Sequence, residues 1–317
     1  MSPDRLPLVF NPGSGRGGMD VDALLARLPA PCRERLRPVR LEPPFDYTEV
    51  IGQARAAGGP LLVWGGDGTI HHAGRALVQV GCPVALGAVP GGSGNGLSRG
   101  LRTPLDPAGA VLRLLEGREL VMDLPRLDGE PFLNLCGTGF EAAVAALFAG
   151  AGDRGFRTYA SASLRLWRRQ PEVGLGWNAV PAAQVPLGRM DRLRAAWQGP
   201  PQELPETAWS LCFANLPQYG SGLWIAPGAD PTDGALDWVR LRRPGWLDMI
   251  HQVPQLFREG GRTSLRRQGR ILRAEVRLDS VQPWHLDGEP GAPRDRAELT
   301  VEQGVFRMQV SPECPWR

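Results

Sequence analysis

At 317 residues the chain exceeds one ordinary core and fits two domains. Its 36 basic and 33 acidic residues leave a net charge of +3, which demands no nucleic-acid partner. Every basic residue is an arginine, so a P-loop lysine, a protein-kinase strand lysine, a Schiff-base lysine and a Ser-Lys dyad are all excluded.

The opening stretch MSPDRLPLVFNPGSG carries an apolar run too short for a signal peptide, and no run approaches the roughly 18 apolar residues of a membrane span. The expectation is a cytoplasmic enzyme. Residues 1–123 alternate short β-like runs (6–10, 36–41, 60–64, 83–89) with amphipathic helical patterns (20–28, 47–57, 70–80, 106–116), the pattern of a parallel α/β sheet. From about Met122 the pattern changes to short alternating runs separated by turns, which predicts an antiparallel β domain over 124–317, its C-terminal tail able to pack back on the first domain. The Pro-, Gly- and polar-rich stretch 176–206 reads as a surface hairpin or loop. Five scattered cysteines, Cys32, Cys82, Cys136, Cys212 and Cys314, with no CxxC pair, read as reduced thiols rather than a disulfide framework or a zinc site.

Three of the predicted strands run directly into glycine-rich segments: NPGSGRGG (11–18), GGDGT (65–69) and PGGSGNG (90–96). In a parallel sheet the loops after strands gather at one edge, and backbone N–H groups freed by glycine at helix N-termini cradle phosphate without lysine. Asn11, Ser14, Thr69, Ser93 and Asn95 would add neutral hydrogen bonds, with Gly65, Gly66 and Gly92 allowing close approach. Asp67 would face a phosphate-bound Mg²⁺, because a bare carboxylate repels phosphate. Asp67 read as a plain helix cap, and the loops read as plain turns, are the alternatives.

NPGSG, GGDGTIH, PGGSGNGLSRGL, FLNLCGTGFEAAV, NLPQYGSGLWIAPGADPTDGALD and HLDGEP occur in the order and spacing of the diacylglycerol kinase catalytic family, which the chain resembles over nearly its whole length. That family includes bacterial lipid kinases and the sphingosine and ceramide kinases. The resemblance implies an α/β nucleotide-binding domain, a C-terminal antiparallel β-sandwich domain and an active site in the cleft between them. It implies ATP-dependent phosphorylation of a lipid hydroxyl, with ATP and Mg²⁺ as cofactors. The family's nucleotide positions fall on Asn11, Pro12, Gly13, Ser14 and Gly15, on Gly66, Asp67, Gly68, Thr69, Ile70, His71 and His72, and on Ser93. Its DGE carboxylates fall on Asp287 and Glu289, the latter usually the proton acceptor, and a structural Mg²⁺ of bacterial members would fall on Asp230, Asp233 and the backbone of Ala235. Read alone, the ADPTDGA loop is equally a plain Asp-Gly turn.

The chain departs from the family pattern at three places: His71 and His72 replace an expected Asn-Glu, Leu41 stands where a threonine is common, and GSGNG replaces GTGND. The chemistry of the residues agrees with the resemblance. A hydroxyl attacking the γ-phosphorus in line needs metal, phosphate donors and a carboxylate for the proton, and the residues leave open whether Asp287 or Glu289 takes it. His251 and His285 read as structural. The rival enzyme is a NAD or sugar kinase sharing GGDG, and the rival class is a catalytically inactive lipid- or nucleotide-binding module. The apolar stretch FLNLCGTGFEAAVAALFAG suits acyl chains, and SLRLWRRQ (163–170), with Leu164, Leu166, Trp167, Arg165, Arg168 and Arg169, reads as a helix seated at a membrane surface or as a packed helix edge. The expected partner is therefore a lipid at a membrane surface, approached peripherally, with a homodimer left open.

Overall fold

The computed structural model describes residues 5–12, 18–42, 45–149, 166, 167, 169–181 and 206–317. By its internal contacts the chain forms two compact units, Met1–Met122 with Gly304–Arg317, and Asp123–Gln303.

In the first unit β1 (Leu6–Phe10) is followed by α1 (Val21–Ala26), α2 (Ala30–Glu34), β2 (Leu36–Arg40), α3 (Thr48–Ala56), β3 (Leu61–Gly65), α4 (Asp67–Gln79), β4 (Leu86–Pro90), α5 (Gly96–Gly100) and α6 (Pro107–Glu116). The strands pair in parallel in the order β2-β1-β3-β4. β1, β3 and β4 are buried at every position, as central strands of a parallel sheet covered on both faces must be. Leu8, Leu62, Val111 and Leu114 centre the core between sheet and helices. Asp20 and Asp106 cap α1 and α6 by accepting from the N–H groups of Ala23 and Gly109. Residues Met308 and Gln309 add a further parallel pairing beside Leu86 and Gly87, so the C-terminal tail belongs to this unit.

The second unit is antiparallel. β5 (Arg118–Leu127) crosses into it from the first and pairs with β6 (Glu130–Pro131). β7 (Leu135–Gly139), α7 (Phe140–Ala149), β8 (Val173–Pro181), β9 (Thr207–Ala208), β10 (Ser210–Ala214), β11 (Gln218–Gly220), β12 (Leu223–Trp224) and β13 (Leu236–Leu241) follow. After α8 (Trp246–His251) and a 3₁₀ turn (Val253–Phe257) come two long strands, β14 (Arg266–Leu286) and β15 (Glu289–Val310). β14 closes the sheet on itself. Its first residues pair with β13, its last with β7, and β10 bridges β7 and β13. Trp238, Trp284, Phe132 and Phe213 fill the interior. Of the stretch read as a surface hairpin or loop, residues 176–181 are part of β8, paired with β14; residues 182–205 lie outside the described residues.

Candidate active site

The sequence-expected phosphate loops of the first unit meet at the carboxyl edge of its parallel strands. β3 ends at Gly65, and α4 starts immediately at Asp67, three residues earlier than the apolar periodicity predicts, because Gly66 serves as its N-cap. β4 ends at Pro90 and its loop lies directly against the first: the Gly91 N–H donates to the Gly65 carbonyl at 2.8 Å. A side chain on Gly92 would lie 2.7 Å from the Gly66 Cα, and one on Gly65 would strike Thr69 at 2.5 Å. The approach therefore needs glycine at 92, whereas a Cβ on Gly66 would meet the Gly92 Cα at 3.4 Å, an ordinary contact. Pro12 and Asn11 follow β1 at the same edge, whereas Gly13, Ser14 and Gly15 lie outside the described residues.

Asp67 Oδ1 accepts the N–H of Gly96, the first residue of α5, at 2.7 Å. The carboxylate therefore latches the second glycine loop to the first, a use that the pattern GGDG alone did not reveal. Asn95 sits in the left-handed region (φ +51°), and its amide both accepts from the Gly92 N–H (2.9 Å) and donates to the Gly92 carbonyl (2.8 Å). It shapes the loop, leaving Ser93 as the exposed hydroxyl at its tip. Gly66, Gly68 and Thr69 are half-buried, with the Thr69 carbonyl accepting from Tyr47 at 3.3 Å, while Ile70 and His71 point into the core. His72 is exposed, its ring 5.9 Å from that of Phe45.

In the second unit Asp287 and Gly288 form the two-residue turn between β14 and β15, both at positive φ (+51° and +89°), the geometry Asp-Gly hairpins favour. The Asp287 side chain is buried and accepts three backbone N–H groups, from Leu133 (2.9 Å), Asn134 (2.8 Å) and Leu135 (3.1 Å). Glu289 is half-buried just past the turn, at the first position of β15. The two carboxylates of the motif thus differ in kind: Asp287 holds backbone, and Glu289 does not share those donors.

Beside this hairpin lies a buried polar cluster that the motif reading missed. Glu141, at the start of α7, accepts hydrogen bonds from the Ser210 hydroxyl and the Cys212 thiol, which share one face of β10. His285 is fully buried; its Nδ1 accepts from the Gly288 N–H (3.3 Å) and its Nε2, 4.0 Å from Glu141 Oε1, lacks a hydrogen-bond partner within bonding distance. Burial, then the nearby Glu141 charge, pushes the Cys212 thiol well up, and burial with Asp287 does the same to Cys136. A side chain on Gly137 would reach 2.5 Å from Glu141 Oε1, so the CGTG stretch of the second unit makes room for a carboxylate. The sequence signal was the Glu that follows CGTGF together with Ser and Cys two apart in WSLC.

On the ADPTDGA loop, Asp230 Oδ1 accepts from the N–H and hydroxyl of Thr232 (3.0 and 2.7 Å), and Asp233 accepts from the Ala235 N–H (3.0 Å) and from Arg270 (2.5 Å). Asp123 accepts from the Gly234 N–H at 2.6 Å. A largely buried guanidinium, 12% exposed, already neutralises Asp233, and among the described residues no group of three acidic, His or Cys ligands is assembled. Both carboxylates of the expected set, Asp230 and Asp233, are thus engaged by protein donors, Asp233 by a cation. Asp67 does fit the other metal role, since Mg²⁺ on a nucleotide needs only one or two carboxylates beside phosphate and water.

Residues 5–127 match the family model of the diacylglycerol kinase catalytic domain, and residues 192–310 that of the YegS C-terminal NAD kinase beta sandwich-like domain. A probable lipid kinase YegS-like of Pseudomonas aeruginosa is 30% identical over 99% of this chain and 97% of its own length. A diacylglycerol kinase of Mycobacterium tuberculosis is 26% identical over 67% of this chain and 65% of its own. The crystal structure of a diacylglycerol kinase from Bacillus anthracis superposes with a TM-score of 0.66 at 16% identity, covering 98% of each chain, a likeness of fold.

Proposed function

Since this chain belongs to the diacylglycerol kinase catalytic-domain family of lipid kinases, we propose that it transfers the γ-phosphoryl group of ATP to a hydroxyl of a lipid such as a diacylglycerol or a sphingoid base. The observation that carries this is the edge where Gly92 packs on Gly66 without room for a side chain of its own, latched by Asp67 on the Gly96 N–H. An edge closed this tightly at Gly92 presents main-chain donors to a polyphosphate in a chain with no lysine to do so.

In the proposed reaction the lipid oxygen forms a bond to the γ-phosphorus as the bond to the β–γ bridging oxygen breaks, and ADP leaves with that electron pair. Asn11, Gly13, Ser14, Gly15, Thr69 and Ser93 hold phosphates, and Asp67 orients the nucleotide's metal. Mg²⁺, when bound with ATP, neutralises the charge that builds on the phosphates. Glu289 accepts the proton of the attacking hydroxyl. Asp287 positions Glu289 by fixing the hairpin, its own oxygens being held by three N–H groups. The lipid acceptor places the enzyme at a membrane surface in the cytoplasm.

A NAD kinase-like reading finds support in the match of residues 192–310. Measuring ADP release with diacylglycerol, sphingosine and NAD as acceptors separates the readings: turnover confined to a lipid supports the proposal, and turnover with NAD alone refutes it. No turnover with any acceptor would favour an inactive binding module.

A further inference from the structure

No helix among the described residues is long and apolar enough to cross a membrane, so a kinase for lipids needs a seat on the bilayer. The stretch expected to supply it, 163–170, does not do so with Trp167. That ring is buried, its N–H donating to the Pro244 carbonyl at 2.9 Å, and Trp246 stands edge-on against it at 4.9 Å. Leu164, Arg165 and Arg168 lie outside the described residues.

Among the described residues, α8 and the 3₁₀ turn behind it carry four exposed large apolar side chains close together in the chain. Trp246, Leu247 and Ile250 are 67%, 75% and 66% exposed, and Phe257 is 52% exposed. At 100° per residue, 246, 247 and 250 share one side of the helix, and Asp248 falls on the other. There Asp248 receives two hydrogen bonds from Arg242 (2.7 and 3.1 Å) and one from the Gly245 N–H (2.8 Å). From beneath, Leu256 and Leu265 anchor the segment in a buried cluster, and the Ser264 N–H ties the returning loop to Gln252. The helix is fixed on its inner side and presents its apolar side to water, which a water-soluble surface disfavours unless something covers it.

We propose that α8 and the turn Val253–Phe257 form the face by which this chain sits on an anionic lipid bilayer. The charge around the face names the occupant. Residues 242–267 hold six arginines against two acids, Asp248 and Glu259; Arg242 is paired with Asp248, and Arg266 is turned inward onto the Trp224 and Gly261 carbonyls. Arg243, Arg258 and Arg262 are exposed around the apolar side. Trp and aliphatic side chains ringed by arginine suit the shallow headgroup–acyl boundary of an anionic leaflet. Choosing a bilayer over another protein rests on the lipid-kinase reading above.

The test compares wild type with a Leu247→Glu/Ile250→Glu variant, both exposed positions at which a charge does not disturb the core. Co-sedimentation uses vesicles of phosphatidylcholine alone and with phosphatidylglycerol, at low and high salt. Kinase turnover is measured on a monomeric short-chain diacylglycerol and on diacylglycerol in vesicles. Expected are pelleting that favours anionic vesicles and weakens with salt, and in the variant a loss on the order of ten-fold in pelleting and in vesicle turnover, with turnover on the monomeric acceptor unchanged. Unaltered pelleting of the variant overturns the proposal. So does a wild-type dimer in gel filtration that the variant abolishes without losing vesicle binding, which assigns the face to a second copy of the chain. Failure of wild type to phosphorylate any lipid would refute the kinase reading instead, since pelleting does not depend on turnover.

Discussion

Asp287 and Leu135 are tied twice, the Asp287 N–H donating to the Leu135 carbonyl at 2.8 Å and the Leu135 N–H to Asp287 Oδ1 at 3.1 Å. The side chain that the sequence left beside Glu289 as the second candidate for the proton is a clamp between the β14–β15 turn and the segment 133–135. Asp287→Ala leaves three buried N–H groups without their acceptor, each costing about 1–3 kcal/mol. The expected outcome is a thermal unfolding midpoint lowered by several degrees together with lost activity. Glu289→Gln is expected to leave the midpoint unchanged. A fully stable Asp287→Ala protein would show that the clamp is not needed for the fold.

Asp67 offers a separable pair of substitutions. Asparagine keeps an oxygen that can accept from the Gly96 N–H, so Asp67→Asn should preserve folding and nucleotide-loop geometry while cutting turnover by on the order of 10²-fold through loss of negative charge toward the metal. Asp67→Ala removes the latch as well and should also weaken ATP binding. Turnover of Asp67→Asn above half of wild type would refute the metal role.

The Arg270–Asp233 pair predicts that stability does not depend on a structural divalent ion at the 230–235 loop. Removing one partner of a largely buried pair costs about 3–5 kcal/mol, so Asp233→Ala and Arg270→Met should each melt clearly earlier. Wild type without nucleotide should melt at the same temperature in Mg²⁺ and in EDTA. A wild-type midpoint that rises with Mg²⁺ and falls with EDTA would contradict this.

The α/β pattern, the glycine edge and the antiparallel second unit were legible because each is a local signal: periodicity, strand-end glycines and turn spacing. What the sequence did not show depends on partners far along the chain. Arg270 reaches Asp233 across a β14–β13 pairing, Gly96 meets Asp67 across two loops, and Glu141 collects Ser210 and Cys212 from another strand. Trp167 reads as an interfacial residue by composition, and only its bond to Pro244 shows it as the buried support of Trp246.

The buried thiols give a pH prediction. Cys136 and Cys212 have folded-state pKa values pushed well above the ordinary value of 9.0, by burial first and by neighbouring carboxylates second. Their contribution to stability is full below the unfolded thiol's pKa and is lost as pH rises above it, by up to about 1.4 kcal/mol per pH unit for each thiol. Denaturant midpoints should fall above about pH 9, less steeply in a Cys212→Ala protein. At neutral pH a thiol reagent should modify native Cys32 and Cys82, which are half-buried, and spare Cys136, Cys212 and Cys314.

The most direct test is the single-turnover rate of phosphoryl transfer from γ-labelled ATP to a monomeric short-chain diacylglycerol, in wild type and in Glu289→Gln at matched thermal stability. The predicted result is a labelled lipid product in wild type and a rate lower by on the order of 10²-fold or more in Glu289→Gln, with ATP affinity retained. A Glu289→Gln rate above half of wild type, or a wild-type enzyme that labels NAD and no lipid, would contradict it.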